Sequence, residues 1–154
     1  MSPAESTPTI FYHSLYRHGI DEKRRLQVPA KWRPASPDVE FTLIPWPKGG
    51  WKQAFLLVLP PEERVALVQK LKPMPYDDST TQALRRLVGS KSDQVTLDKG
   101  GRLCLPEAMA KAVAIDREAV LVGMLDRFEI WNPERYAIVQ EMDEGLAAAA
   151  FKMI

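Results

Sequence analysis

The chain has 154 residues, of which 45% are hydrophobic and 27% are charged, and its formal net charge is +1. This length fits one ordinary domain or two small ones, and the composition is that of a soluble globular protein. Apolar runs such as 54–59 and 119–122 are far shorter than the roughly 20 residues of a membrane-crossing helix. A membrane span is therefore excluded. Because the net charge is near zero, nucleic-acid binding must be judged from the distribution of charge.

The amino-terminal residues 1–11 have neither the basic start and apolar centre nor the cleavage pattern of an export signal. They are predicted to form a disordered lead-in. Cys104 is the only cysteine, so the chain cannot form an internal disulfide, which fits a reducing cytoplasm.

Residues 12–62 are predicted to form a first structured half. It begins with a β-hairpin that ends at Pro29, where a short helix or turn starts. A second pair of strands, 41–44 and 54–59, is predicted on either side of a long connection, 45–51.

Residues 63–91 are predicted to contain two helices and a linker. The first helix opens at 60–63, where prolines and glutamates suit a first turn, and it carries an apolar edge of Val65, Val68 and Leu71. The second, shorter helix is predicted to end at Gly89.

Residues 92–135 repeat the order of the first half, with a hairpin, a short helix after Pro106 and strands at 119–124 and 127–131. A C-terminal helix and tail, 136–154, follows. Each copy, at about 50 residues, would be marginal alone. We therefore expect the two copies to interleave into one core with pseudo-twofold symmetry.

An acidic residue followed four positions later by arginine, then by alternating apolar residues and proline, occurs once in each half. The first copy begins with Asp21 and Arg25, and the second begins with Asp98 and Arg102. This pattern predicts a strand, a tight turn and a returning strand. We call residues 21–25 the first tip and residues 98–102 the second tip.

Each tip aspartate is predicted to cap its turn or to pair with its own arginine, and Gly100 and Gly101 are predicted to supply positive φ angles. The tips gather the basic residues Lys23, Arg24, Arg25, Lys99 and Arg102. If the first hairpin stood alone, its charges would indicate only a solvated surface.

An enzyme is one alternative, and it rests only on Cys104, His13, His18 and the two tip aspartates. No nearby sequence suggests a base to activate the cysteine, which is expected within a strand. The two histidines are too isolated for a metal site. We therefore predict no catalytic residue, no metal, no cofactor and no small-molecule substrate.

The two Asp-x-x-x-Arg motifs, together with segments 84–89 and 128–131, resemble the MraZ family of bacterial transcriptional regulators. The resemblance covers residues 12–136. It implies an α+β fold made of duplicated AbrB-like (SpoVT/AbrB-like) swapped-hairpin β-barrel halves with short helices. It also implies a cytoplasmic, nucleoid-associated protein that binds double-stranded DNA at repeated boxes upstream of the division and cell-wall gene cluster, as a ring-shaped homo-oligomer acting mainly as a repressor.

By position, the resemblance makes Lys23 and Arg25 the principal DNA contacts, with Lys99 and Arg102 as their second-half equivalents. A two-stranded ribbon fits the major groove, and the planar fork of Arg25 suits guanine, whereas Lys23 and Arg24 suit phosphates. The family has glycine at the position of Arg24, so Arg24 is expected either in a reshaped turn that contacts phosphate or facing solvent.

The second alternative is a protein-binding module, as in antitoxins that share the hairpin fold. Residues 145–154 are the candidate partner-binding extension, although they also fit a helix end or a subunit contact. Trp46 and Trp51, which are expected to be exposed, could bind a partner or a neighbouring subunit.

Overall fold

A computed structural model of the protein describes residues 9–154, so most of the predicted lead-in, 1–11, lies outside the described residues. Between residues 9 and 154 the chain forms eight strands and four helices, and the predicted α+β class is confirmed. The elements, in chain order, are β1 Leu15–Gly19, β2 Arg25–Gln27, β3 Glu40–Lys48, β4 Trp51–Leu59, α1 Pro61–Leu71, α2 Ser79–Lys91, β5 Asp93–Thr96, β6 Arg102–Cys104, α3 Glu107–Ala112, β7 Glu118–Gly123, β8 Phe128–Trp131 and α4 Pro133–Phe151. A short 3-10 helix, Ala30–Trp32, follows Pro29 as predicted.

The strands form two antiparallel groups. Six of them make one sheet in the order β1-β7-β8-β4-β3-β5, and β2 and β6 make a separate two-stranded ribbon. The prediction that the strands beside each tip pair with each other was therefore wrong. At the first tip, strand-type pairing is limited to the bridge between Ile20 and Leu26. β1 and β2, which flank the first tip, belong to different sheets, and so do β5 and β6, which flank the second. β1 pairs with β7, β5 pairs with β3, and β2 pairs with β6.

A barrel-like core lies between the ribbon and one face of the large sheet. Leu26 and Leu103 point inward from the ribbon and are completely buried. They meet sheet residues such as Leu43 and Phe128 in one apolar cluster, which Met109 of α3 also joins. Burial of Leu26 and Leu103 fixes which side of each short strand faces outward, because side chains alternate along a strand.

The other face of the large sheet is covered by α1, α2 and α4. Trp131 stacks on Phe55 there with ring centroids 4.6 Å apart. Trp46 and Trp51 pack against this second cluster and are partly buried, so the expectation that both are exposed was wrong. None of the helices between residues 9 and 154 has the length and apolarity required to cross a membrane.

The long connection predicted at 45–51 is mostly strand. β3 continues to Lys48 and β4 begins at Trp51, so only Gly49 and Gly50 lie between them. The prolines at 45 and 47 are tolerated because β5 pairs with β3 only as far as Leu43, which leaves that edge of β3 without a partner strand.

The second helix also differs from its prediction, because α2 continues past Gly89 to Lys91. The Ser92 hydroxyl donates a hydrogen bond to the Gly89 carbonyl at 3.3 Å. The helix can therefore pass through the glycine and end two residues later, with Ser92 satisfying one of its last carbonyls.

Candidate nucleic-acid interface

The outward face of the ribbon carries the side chains on either side of Leu26 and Leu103, because neighbouring side chains along a strand point in opposite directions. In the strand register, Arg25 lies opposite Cys104 and Gln27 lies opposite Arg102. All four side chains are at least partly exposed. The two tips are adjacent on this face, since Arg102 Nη1 is 3.9 Å from the carboxylate of Asp21 at the other tip.

The two tip turns are built alike. Asp21 Oδ1 accepts hydrogen bonds from the backbone amides of Lys23 at 3.0 Å and Arg25 at 2.8 Å. Asp98 Oδ1 accepts the equivalent bonds from Gly100 and Arg102, both at 2.9 Å. A carboxylate that holds its own turn in this way fixes the position of the arginine that follows.

Each turn needs one residue with a left-handed backbone. At the second tip this residue is Gly101, with φ +79°, and at the first tip it is Arg24, with φ +60°. The prediction that Gly100 also has positive φ was wrong, because among residues 9–154 Gly101 and Gly49 are the glycines with that geometry. Arg24 therefore adopts the conformation that a glycine adopts at the second tip, and the turn keeps its shape.

The tip arginines are oriented by their aspartates. Arg25 Nε donates to Asp21 Oδ2 at 2.7 Å, and Arg102 Nε donates to Asp98 Oδ2 at 3.0 Å. Within residues 9–154 the terminal nitrogens of Arg25 make no hydrogen bond, so they remain available to a ligand. Hydrogen bonds from backbone amides, followed by the arginine charge and its hydrogen bond, hold the pKa of both aspartates below the ordinary value.

This pKa shift predicts acid-sensitive tips. A carboxylate whose pKa is lowered by folding stabilises the folded state above its unfolded pKa, and that stabilisation is lost as the pH falls through the lowered folded-state pKa. Below about pH 4, the ordinary range of aspartate, Asp21→Asn should therefore show a smaller loss of thermal stability with falling pH than the unmodified protein. Asp77→Asn is the matched control, because the exposed Asp77 side chain accepts no hydrogen bond from residues 9–154. Equal pH profiles for Asp21→Asn and the unmodified protein would contradict the assignment.

Two outward side chains connect each strand of the ribbon to the opposite tip. Gln27 Nε2 donates to the Gly100 carbonyl at 2.9 Å, and the Cys104 thiol donates to the Lys23 carbonyl at 3.5 Å. Gln27 was missed as an interface residue, although alternation from the buried Leu26 would have indicated its direction. Cys104 is exposed, and its hydrogen-bond partner is a carbonyl rather than a base.

Arg24 also contacts the second half of the chain. Its Nε donates to the Leu105 carbonyl at 3.0 Å, so the hydrogen bond holds the guanidinium group through Nε.

The left-handed backbone of Arg24 predicts a stability difference between two variants. A left-handed backbone costs about 1–2 kcal/mol for a residue other than glycine. Both variants lose the hydrogen bond, so Arg24→Ala should be less stable to unfolding than Arg24→Gly by about 1 kcal/mol. Denaturant unfolding measures this difference. At Lys23, where φ is not positive, the alanine variant should be no less stable than the glycine variant, and equal stability of the two Arg24 variants would contradict the prediction.

The two histidines considered in the sequence lie outside the tips. His13 and His18 are exposed on the chain leading to the first tip. Within residues 9–154 no three His, Cys, Asp or Glu side chains lie close enough together to hold a metal ion. Lys23 and Lys99 are exposed and form no ion pair with residues 9–154, so both amines face solvent beside the tips.

The fold and the paired tips define an α+β protein with a barrel-like core and a two-stranded ribbon that exposes two Asp-x-x-x-Arg turns. A family model described as "MraZ protein, putative antitoxin-like" matches residues 90–154. A protein named transcriptional regulator MraZ from Ligilactobacillus salivarius is 34% identical over 143 residues, covering 90% of this chain and 94% of the relative. The protein of that name from Desulforamulus reducens is 35% identical, covering 79% of this chain and 81% of the relative. The one from Clostridium acetobutylicum is 29% identical, covering 90% of this chain and 93% of the relative. The chain belongs to the MraZ family.

Proposed function

We propose that this chain is a sequence-specific, DNA-binding transcriptional regulator that represses the division and cell-wall gene cluster by reading repeated promoter boxes. The observation that carries the proposal is the pairing of β2 with β6, because it holds two basic tips side by side on one exposed ribbon. The names of the relatives support transcriptional regulation. A two-stranded ribbon has the dimensions to enter the major groove.

In this mechanism the tip arginines read bases and the lysines hold the backbone. Arg25 is held at Nε by Asp21, which leaves its two terminal nitrogens to bond guanine O6 and N7. Arg102 takes the equivalent role at the second tip. Lys23 and Lys99, whose amines form no ion pair with residues 9–154, contact phosphates, which position the protein without specifying sequence.

We also propose that residues 12–62 and 92–135 are two copies of one AbrB-like swapped-hairpin unit, separated by the helices and linker of 63–91. The hydrogen bonds around the tips support this, because they recur at equivalent positions. The Val28 amide donates to the Gly101 carbonyl at 3.0 Å, and the Leu105 amide donates to the Arg24 carbonyl at 2.9 Å. Val28 and Leu105 both immediately precede the proline of their motif.

A ring-shaped homo-oligomer is proposed because one pair of tips offers few DNA contacts, and several protomers on successive boxes multiply them. Apolar side chains that the single chain leaves about half exposed or more on its helices support such contacts between subunits. These residues are Val65, Val68, Leu87, Ile138, Met142, Leu146 and Phe151. Two of the three residues on the apolar edge predicted for α1, Val65 and Val68, are therefore about half exposed. Light scattering will report the number of subunits.

A second candidate function, an antitoxin-like protein-binding module, is favoured by the C-terminal segment. Helix α4 continues to Phe151, and the apolar residues Phe151, Met153 and Ile154 are largely exposed. Co-purification of a small toxin that is lost on deletion of 145–154 would support this function. Salt-dependent DNA binding that survives the deletion would support the regulator.

The decisive experiment titrates the protein against a duplex taken from directly upstream of its own gene and against an unrelated duplex of equal length. Fluorescence anisotropy should give tighter binding to the upstream duplex. The logarithm of the binding constant should fall linearly with the logarithm of salt concentration, because bound lysines and arginines release counterions from DNA. Equal and weak binding to both duplexes would refute the proposal. In cells, a fluorescent fusion should coincide with the nucleoid in the cytoplasm.

A further inference from the structure

Arg33 lies over the second tip, although it belongs to the first half of the chain. Its Nε donates to the Val28 carbonyl at 2.9 Å. Its side chain occupies the space beside Gly101 so closely that a Cβ at Gly101 would overlap the guanidinium group. The glycine therefore serves two purposes, because it allows the left-handed turn and leaves room for an arginine from elsewhere in the chain.

The first tip has an equivalent guanidinium from a different source. There Arg24 is itself the left-handed residue, and its Nε donates to the Leu105 carbonyl. Leu105 stands in the second motif where Val28 stands in the first. In the second half, the residue at the same distance from its aspartate as Arg33 is Ala110, which is buried and carries no charge. Each tip thus has one arginine beside it that is anchored through Nε. Arg24, at the first tip, bonds a carbonyl of the second motif, and Arg33, at the second tip, bonds a carbonyl of the first motif.

Beside the second tip, Arg33 borders an open hollow of about 200 Å³. Its polar lining includes Arg33, Ser36 and Lys99. The terminal nitrogens of Arg33 and the amine of Lys99 make no hydrogen bond or ion pair with residues 9–154. The one carboxylate in the lining, Asp98, is already bonded to Arg102 and to two backbone amides. The hollow is therefore cationic, and its donors can serve an anion.

We propose that this hollow binds a DNA backbone phosphate, with Arg33 and Lys99 as its donors, and this inference rests on the proposed DNA-binding function. Anchoring through Nε leaves the terminal nitrogens of Arg33 fixed in direction, which suits a bidentate bond to two phosphate oxygens. A phosphate bound there lies beside the second tip. Arg33 thereby adds to the affinity for DNA without reading a base itself.

The test compares Arg33→Gln, Lys99→Gln and the control Lys70→Gln, each of which removes one positive charge. Lys70 is exposed in the last turn of α1, on the opposite face of the large sheet from the ribbon. Arg33→Gln and Lys99→Gln should each weaken binding about fivefold at about 0.15 M salt and reduce the salt slope by about 0.9. The loss should be the same on the upstream duplex and on the unrelated duplex, because a phosphate contact carries no sequence information. Lys70→Gln should change neither value.

One further variant and the choice of temperature keep the inference falsifiable. Arg33→Lys retains the charge without the planar fork, so it should recover the salt slope but only part of the affinity. If Arg33→Gln lowers the melting temperature, its affinity and salt slope are measured at a temperature where both it and the unmodified protein are folded. One possible result is that the unmodified protein binds the upstream duplex and loses that binding in Arg25→Ala, while a folded Arg33→Gln keeps the unmodified affinity and salt slope. That result would overturn this inference alone. Failure of the unmodified protein to bind DNA would overturn the proposed function as well.

Discussion

Arg25→Ala should abolish binding to the upstream duplex while leaving the protein folded. The Arg25 guanidinium is oriented by Asp21 at 2.7 Å, with its terminal nitrogens pointing away from any partner among residues 9–154. Loss of one good bidentate arginine–guanine contact costs about 1–3 kcal/mol. When several protomers bind one DNA together, that loss is repeated at each box and multiplies. A gel-shift assay should therefore show no specific complex.

Two measurements make this result interpretable. Circular dichroism and thermal unfolding should be close to those of the unmodified protein, because Arg25 is partly exposed and its ion pair with Asp21 lies at the surface. Arg17→Ala is the matched control, since Arg17 is also an exposed arginine held by a carboxylate, Glu118, but it belongs to the large sheet. Near-normal operator binding by a folded Arg25→Ala protein would refute the assigned role.

Trp32→Ala should be the most destabilising of these substitutions. The Trp32 side chain is 1% exposed, and its indole nitrogen donates to the His13 carbonyl at 3.1 Å. Its ring centre lies 4.9 Å from that of Phe128 and 5.3 Å from that of Tyr16. Removing a buried tryptophan costs about 3–5 kcal/mol through lost burial and the cavity left behind, which for a chain of this size lowers the melting temperature by roughly 6–20 °C.

Trp46→Ala is the control for the tryptophan prediction, because it removes the same side chain from a partly buried position against the second cluster. Its melting temperature should fall by clearly less. Since Arg33 directly follows Trp32, the Trp32→Ala protein should also bind DNA with a reduced salt slope at temperatures where it is still folded. Equal melting temperatures for the two tryptophan variants would show that Trp32 is not a main contributor to the core.

Local signals in the sequence were enough to predict the tips and several of the helices. The prolines and glutamates at 60–63 correctly predicted the start of α1 at Pro61, because proline and acidic side chains suit the unpaired amides of a first helical turn. The two Asp-x-x-x-Arg turns were predicted for the same reason, since an aspartate carboxylate bonds amides only a few residues away. Such hydrogen bonds are made within one short segment, so they can be predicted from a local sequence pattern.

Partner choice between strands was not predictable in this way. The residues of β1 and β2 suit a hairpin, but which strands they join is decided by how Leu26 and Leu103 are buried together across the core. No motif in the sequence indicates that Arg33 is a neighbour of the second tip. Its position over Gly101 depends on the path of the chain after the 3-10 helix, where no periodic pattern fixes direction.

The two prolines of β3 have a consequence for aggregation. Beyond Leu43 this strand has an edge that β5 does not cover, and an uncovered edge is where another molecule could add a strand. Pro45 and Pro47 lack the amide hydrogens that such an addition would need, and Lys48 adds a charge. Addition of a strand from another molecule is therefore disfavoured along this part of β3.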